Sequence, residues 1–216
     1  MIHKLSKVEL VEAQIALFVA VLLQFVVWLI NDHIFSVPQY ILIAVELALA
    51  LSLGFATSVK SLRERTLHHT IATLLIGLIS LANIASLAVV IYALIVDGSA
   101  SGFELLGSAL AIFATNVIVY ALWYWEIDSP GLTNRRWTKS DKDFQFTQQS
   151  MPQEFPDWRP EFIDYLYISA INSVNGATTS AHPLTRQAKM LMATQAMISI
   201  FTLALVIARS VSILGS

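Results

Sequence analysis

The sequence contains no cysteine and few charged residues. Only 13% of its 216 residues are Asp, Glu, Lys or Arg, about half the share of a typical soluble domain. The missing thiols exclude disulfides, iron–sulfur clusters and thiolate metal sites within the chain. The net charge of −2 lacks the basic excess that a nucleic-acid partner requires. With 56% hydrophobic residues and a mean hydropathy of +0.66, the composition predicts an integral protein of the lipid bilayer.

Five apolar runs reach the length of roughly 20 residues that a helix needs to cross the hydrocarbon core. The runs are Val11–Ile30, Pro38–Thr57, His69–Val96, Phe103–Trp125 and Ala188–Leu214. The first is too long for a signal peptide and has no small-residue cleavage site, so we expect it to remain as an anchor. The predicted fold is an all-α, polytopic helical membrane protein with five spanning helices plus a re-entrant or short sixth helix.

The chain divides into three regions by composition. Residues 1–126 form a four-helix transmembrane region, residues 127–159 a polar linker too small for its own core, and residues 160–216 a C-terminal unit. We expect the linker's aromatic residues to rest on the membrane surface or against helix ends, and the stretch 157–160 to cap the next helix. That amphipathic segment has roughly 16 residues, which is marginal for a span. Two alternatives remain: a half-helix that dips in and returns, or a short sixth span.

Basic residues predict the orientation. They lie before the first run, between the second and third, and after the fourth, whereas the turns 31–37 and 97–102 contain no Lys or Arg. By the positive-inside bias, the N-terminus and the linker are cytoplasmic in a multi-pass protein of the cell membrane. If the amphipathic segment dips in and returns, twelve of the 13 basic residues lie inside, with Arg209 alone near the far end. With six spans, the C-terminus returns to the cytoplasm, Arg186 and Lys189 lie outside, and the charge bias is only slightly weaker.

Motifs for enzyme chemistry are missing from the sequence. It contains no glycine-rich phosphate loop, nucleophile elbow or zinc-type histidine pair. The adjacent His68 and His69 point about 100° apart on a helix, so they do not easily face one metal ion. No nucleophile–base pair can be assembled from residues at membrane depth, so we expect neither an enzyme nor a cofactor.

Glu46 is the carboxylate closest to the middle of an apolar run. Placing an ionised carboxylate at that depth costs several kcal/mol of free energy, unless the group is protonated, paired or hydrated. We therefore expect Glu46 to face the protein interior. The functional interpretation is a proton or cation site; the structural one, which we favour, is a hydrogen-bond clasp between helices. Amides at comparable depth in four other runs complete the predicted intramembrane polar cluster: Gln24, Asn83, Asn116 and Gln195.

The C-terminal unit resembles a known pore module. The segment 164–169 (Asp-Tyr-Leu-Tyr-Ile-Ser), the loop after it, the stretch 183–189 and the helix ending at 205–211 resemble the pore helix, filter and inner helix of bacterial two-helix-pore potassium channels. The chain is also similar to a group of uncharacterised bacterial multi-pass membrane proteins. The resemblance implies a homo-oligomer that passes a small ion. The expected ion path is lined by Asn172, Asn175, Gly176, Thr178 and Thr179.

The potassium filter pattern Thr-Val-Gly-Tyr-Gly is absent from this unit. Asn175 and Gly176 stand where Tyr-Gly is expected, and Val174 stands where the first glycine is needed. A β-branched residue poorly adopts backbone angles that glycine alone tolerates. We therefore expect no potassium selectivity of the familiar kind. The alternatives to a channel are a non-conducting membrane scaffold or sensor with a pore-like fold, and a proton-coupled transporter that uses Glu46.

Overall fold

The computed structural model of the chain describes residues 7–30, 44–48, 66–97, 101–128, 142–176 and 180–214. In this part of the chain, four helices are long and apolar enough to cross a membrane, as expected of a helical membrane protein. These candidate spans are Val11–Ile30, Ala72–Ile95, Gly102–Asp128 and Arg186–Ala208. The predicted span Pro38–Thr57 lies outside the described residues apart from residues 44–48, which are helical. We call residues 44–48 the Glu46 segment.

Besides the Glu46 segment, the part of the chain that the structure describes contains five α-helices. They are α1 (Lys7–Ile30), α2 (Thr66–Tyr92), α3 (Gly102–Asp128), α4 (Phe162–Asn175) and α5 (Arg186–Leu214). A π-helical turn, Ala93–Asp97, continues α2. Helix α3 begins at a capping box, because the Ser101 N–H donates to Glu104 Oε2 at 2.9 Å and the Glu104 N–H donates to Ser101 Oγ at 3.2 Å.

Helix α3 lies at the centre of the bundle. It contacts α1, α2, α4 and α5. The buried share of its candidate span is 61%, whereas that of α5 is 28%. Its C-terminal end carries two of the largest fully buried side chains, Tyr124 and Trp125. Small residues such as Ala109 and Ala121 are also buried on α3 and allow neighbouring helices to approach closely. Helix α3 is therefore the element against which α1, α2, α4 and α5 pack.

A two-stranded antiparallel sheet joins the linker to the C-terminal unit. Strand β1 (Phe144–Phe146) pairs with β2 (Ala181–Pro183), with Gln145 opposite His182. Because β1 precedes α4 and β2 follows it, the chain returns after α4 to the place it left. The all-α prediction did not include these strands, since three-residue strands are too short for alternation to be recognised in a sequence.

An aromatic cluster holds the sheet against the helices. Phe144 and Phe146 are 0% and 2% exposed. The Phe144 ring lies 5.1 Å from that of Tyr124 on α3, and the Phe146 ring lies 5.3 Å from that of Tyr165 on α4. Trp158 packs against Phe146 at 5.5 Å. These edge-on and tilted contacts bury large apolar area and hold Phe144 and Phe146 against side chains of α3 and α4.

Candidate functional site

Helix α4 turns one face towards the protein. Its buried residues recur at spacings of three and four, which is the helical periodicity that the sequence predicts for this segment. They are Phe162, Tyr165, Ile168, Ser169, Asn172 and Ser173. This face is aromatic at the start of the helix and polar in its second half, so the buried polar groups collect near the end of α4.

The two ends of α4 are fixed by different devices. At the start, the Glu161 N–H donates to Asp164 Oδ2 at 2.8 Å, so the cap lies at Glu161 and not in the stretch 157–160. At the end, Gly176 has φ of 66°, which favours glycine, and its N–H donates to the Asn172 carbonyl at 3.0 Å. Burial raises the pKa of the Asp164 carboxyl; the Glu161 N–H opposes this shift and the Glu161 carboxylate adds to it.

The raised pKa of Asp164 predicts a pH-dependent stability. The folded protein holds this proton to a higher pH than the unfolded chain, so the free energy of unfolding falls as pH rises from the ordinary aspartate range through the raised pKa. Above the raised pKa, Asp164 adds no further pH dependence to the free energy of unfolding. Asp164→Asn is expected to remove this slope. Thermal unfolding of both chains in detergent from about pH 3 to about pH 7 tests it, and parallel curves for the two proteins would contradict it.

A buried hydrogen-bond network joins α3, α4 and α5. Gln195 Oε1 accepts from the Tyr124 hydroxyl and, at 2.8 Å, from Asn172 Nδ2. Asn172 Nδ2 also lies 3.0 Å from the Met192 carbonyl. Gln195 Nε2 donates to Ser169 Oγ at 2.6 Å. All of these polar side chains are buried, so each bond forms in a low-dielectric setting where losing it is costly.

A second network centres on Asp128, the last residue of α3. Its Oδ1 accepts from the N–H groups of Asp143 at 2.6 Å and Phe144 at 2.8 Å, and its Oδ2 accepts from the Tyr165 hydroxyl at 2.7 Å. The Asp143 carboxylate in turn accepts from the Thr185 hydroxyl, whose oxygen accepts the Ala188 N–H at 3.2 Å. One buried carboxylate thus links the end of α3 to β1 and α4, and through Asp143 to the start of α5.

The five residues predicted to line an ion path have different surroundings. Asn172 is buried in the network with Gln195, with 1% of its surface exposed. Asn175 and Gly176 are exposed at the end of α4. Thr178 and Thr179 lie outside the described residues. The structure therefore puts Asn172 in a helix interface and Asn175 and Gly176 on the surface of a single chain.

The predicted intramembrane polar residues lie at separate interfaces. Gln24 Nε2 on α1 donates to the Ile79 carbonyl of α2 at 2.8 Å, and Asn83 Nδ2 on α2 lies 3.3 Å from the Ile112 carbonyl of α3. Asn116 Nδ2 on α3 donates to Ser199 Oγ of α5 at 2.9 Å, and Gln195 joins α5 to α3 and α4. Each amide bonds across a helix interface of its own, so these residues do not converge in the single cluster that the sequence predicts.

Glu46 does not join these contacts. Its side chain is 0% exposed, and both carboxylate oxygens have no hydrogen-bond partner among the described residues. The other four residues of the Glu46 segment are exposed. The short helix therefore turns its carboxylate inward, as the cost of lipid exposure requires, but none of the predicted amide partners bonds to it.

The sequence did not identify several members of the two networks. Tyr124 belongs to a Trp-Tyr-Trp cluster typical of the membrane interface, and Asp128 begins a turn-like Asp-Ser-Pro-Gly stretch. These contexts suggest an anchor and a turn, and neither indicates a buried partner. The only available signal is spacing, because Ser169, Asn172 and Ser173 share one face of a helix.

The described residues offer hydrogen-bonding groups and no metal cluster: within residues 7–30, 44–48, 66–97, 101–128, 142–176 and 180–214, no group of three or more His, Asp or Glu is placed to hold a metal ion. The chemistry of the C-terminal unit is that of amides, hydroxyls and helix ends. Comparison of the chain with protein-family models, with curated proteins and with solved structures finds no match in any of the three.

Proposed function

We propose that the chain is a channel-like membrane protein that passes a small ion through its C-terminal unit, α4 with the following loop and α5. The observation that carries the proposal is the pairing of β1 with β2. A helix whose two flanking strands pair with each other enters and leaves at the same end of α3. It is then a re-entrant half-helix, and the topology has five spans with the N-terminus and linker cytoplasmic.

The depth of α4 supports the same interpretation. Ser169 Oγ donates to the Val117 carbonyl at 2.6 Å, and Val117 lies three helical turns before the end of α3 at Asp128. Three turns of helix rise about 16 Å, which is about half of a hydrocarbon core of roughly 30 Å. A second half of α4 that lies about this far from the end of α3 supports a segment that enters the membrane without crossing it.

The end of α4 is the proposed constriction. Asn175 and Gly176 are exposed there, and the last carbonyl groups of a helix carry partial negative charge that favours a cation. Polar backbone at this depth requires water or protein around it, because lipid satisfies no hydrogen bond. A homo-oligomer supplies the surrounding protein and a water-filled space when the α4 ends of several subunits meet around an axis. In this proposal Thr178 and Thr179 continue the ion path. Asn172 then positions α4 against α5 and does not line the path.

Ion flux into liposomes tests the constriction. Asn175→Ala changes an exposed side chain, so the protein is expected to fold, while flux is expected to fall by about tenfold or more because a polar ligand of the path is lost. Thr178→Leu is expected to have the same effect. Ile163→Ala is the matched control, since Ile163 is also exposed on α4 but lies at its other end. Equal loss in all three variants would contradict the proposal.

Two other functions have a supporting observation each. The hydrogen bonds that tie Asn172 to Gln195 and Met192 favour a rigid, non-conducting scaffold or sensor, and a folded oligomer that passes none of the common ions would support it. The buried carboxylate of Glu46 favours a proton-coupled transporter. Transport that depends on a proton gradient, is lost in Glu46→Gln and persists in Asn175→Ala would support that function.

A further inference from the structure

Two basic side chains lie at the start of helix α5, at the edge of its membrane-spanning stretch. Arg186 is the first residue of both α5 and the candidate span Arg186–Ala208, and Lys189 follows three positions later. Both are exposed, and neither side chain has a hydrogen-bond or ion-pair partner among the described residues. Two positive charges therefore lie where lipid headgroups meet the hydrocarbon core.

The position of these charges is unfavourable for the helix itself. The N-terminal end of a helix carries partial positive charge, which repels cations in the first turn, and the first turn of α5 contains no acidic residue. The Asp143 carboxylate accepts a hydrogen bond from the Thr185 hydroxyl beside the start of α5. Among the described residues it forms no ion pair with Arg186 or Lys189. These residues thus leave the two cations without a direct counter-ion.

An apolar stripe continues from the basic pair down the same face of α5. Positions 190, 193, 197 and 200 follow position 186 at spacings of three and four, so they share one side of the helix. Met190, Met197 and Ile200 on this side are all exposed. The stripe from 190 to 200 is about 15 Å long, which matches one leaflet of a hydrocarbon core of roughly 30 Å. The exposed face of α5 is therefore basic at its start and apolar over the depth of one leaflet.

We infer that this face of α5 binds an anionic phospholipid, with the lipid phosphate at Arg186 and Lys189 and an acyl chain along the apolar stripe. The negative headgroup complements the two cations, and charge-assisted hydrogen bonds to phosphate are the strong kind. A zwitterionic lipid carries a cation of its own, which weakens this attraction. A free phosphate satisfies the charges but leaves the apolar stripe uncovered, so the complete face fits a lipid best.

This lipid site is separate from the proposed ion path. The path is placed at the end of α4, at Asn175 and Gly176, whereas the lipid lies along the exposed side of α5. Lipid binding is measured without ion flux, so the two proposals can succeed or fail separately.

Thermal unfolding of the purified full chain in an uncharged detergent tests the inference. Titration with phosphatidylglycerol, or with phosphatidylcholine of the same acyl chains, gives an affinity for each lipid from the rise in the unfolding midpoint. We expect phosphatidylglycerol to bind about tenfold or more tightly than phosphatidylcholine. We expect high salt, about 1 M, to remove most of this preference because it screens exposed charges. Equal affinities for the two lipids, or a preference that salt does not change, would overturn the inference.

Two charge variants locate the site. The double variant Arg186→Gln, Lys189→Gln changes exposed side chains that have no partner among the described residues, so we expect it to fold and to lose the preference. The matched control, Lys142→Gln with Arg159→Gln, removes the same number of positive charges from the linker and is expected to keep it. An unchanged preference in the first variant, or an equal loss in the control, would contradict the site.

Glycerol 3-phosphate distinguishes the lipid from its headgroup. It carries the phosphate without an acyl chain, so we expect it to stabilise the unmodified chain far less than phosphatidylglycerol does at the same concentration. Equal stabilisation by the two compounds would show that the apolar stripe takes no part, and it would overturn the assignment of a lipid. This comparison needs no variant and stays decisive if the double variant does not fold.

Discussion

Replacing Gln195 by leucine is expected to lower the free energy of unfolding by about 2–4 kcal/mol, because it leaves several buried polar groups without a partner. Gln195 is 0% exposed. Its Oε1 accepts from Tyr124 and Asn172, and its Nε2 donates to the Ser169 hydroxyl at 2.6 Å and to the Ser173 hydroxyl at 2.7 Å. Leucine has similar volume but restores none of these bonds. The second half of α4 would lose most of its polar attachment to α5.

Gln24→Leu is the matched control for this prediction. Gln24 is also a buried amide at membrane depth, but its hydrogen bond is the one to the Ile79 carbonyl, and its Oε1 has no partner among the described residues. Its replacement removes an orphaned acceptor together with one bond, so the expected loss is about 1 kcal/mol or less. Reversible unfolding in mixed micelles measures both values. Equal losses of unfolding free energy in the two variants would contradict the prediction, because the Gln195 network would then stabilise the protein no more than the single Gln24 bond does.

The sequence predicted the helices of this protein better than their contacts. The apolar run Val11–Ile30 lies within helix α1 and has the bounds of a candidate span, and the amphipathic segment predicted over residues 160–175 corresponds to α4, Phe162–Asn175. Both predictions rest on periodicity and on the length that a bilayer requires, which are local properties. The pairing of β1 with β2 joins residues more than thirty positions apart, and no local pattern predicts such a contact.

The polar residues illustrate the same limit. Hydropathy places Gln24, Asn83, Asn116 and Gln195 at similar depth, but a depth does not say which helices are neighbours. The central position of α3 decides this, so that Asn116 meets Ser199 of α5 and Asn83 meets a carbonyl of α3. The inward direction of Glu46 could be predicted because the cost of a carboxylate in lipid excludes the outward one. The lack of a hydrogen-bond partner for Glu46 among the described residues could not be predicted, because it depends on how the helices pack.

Replacing Asp128 by alanine is expected to have the largest effect, a loss of about 3–5 kcal/mol of unfolding free energy. The carboxylate is 3% exposed and accepts three hydrogen bonds, from the N–H groups of Asp143 and Phe144 and from the Tyr165 hydroxyl. Bonds to a charged acceptor are stronger than neutral ones. Alanine removes the acceptor of the Phe144 N–H and of the Tyr165 hydroxyl at the point where the linker, α3 and α4 meet.

Two milder variants separate the three bonds. Asp128→Asn keeps an amide oxygen for the two backbone donors but presents an NH2 group to the Tyr165 hydroxyl, and Tyr165→Phe removes that hydroxyl alone. We expect each to cost about 1–2 kcal/mol, and we expect the double variant to cost less than their sum because both changes remove the bond from the Tyr165 hydroxyl to a charged carboxylate, which Asp128→Asn replaces with a neutral bond at most. Asp128→Ala is also expected to expose residues 142–161 to limited proteolysis, since β1 loses its attachment to α3. Additive losses in the double variant, or a protease-resistant linker in Asp128→Ala, would contradict this role, because a carboxylate that merely fills space neither couples to Tyr165 nor holds β1.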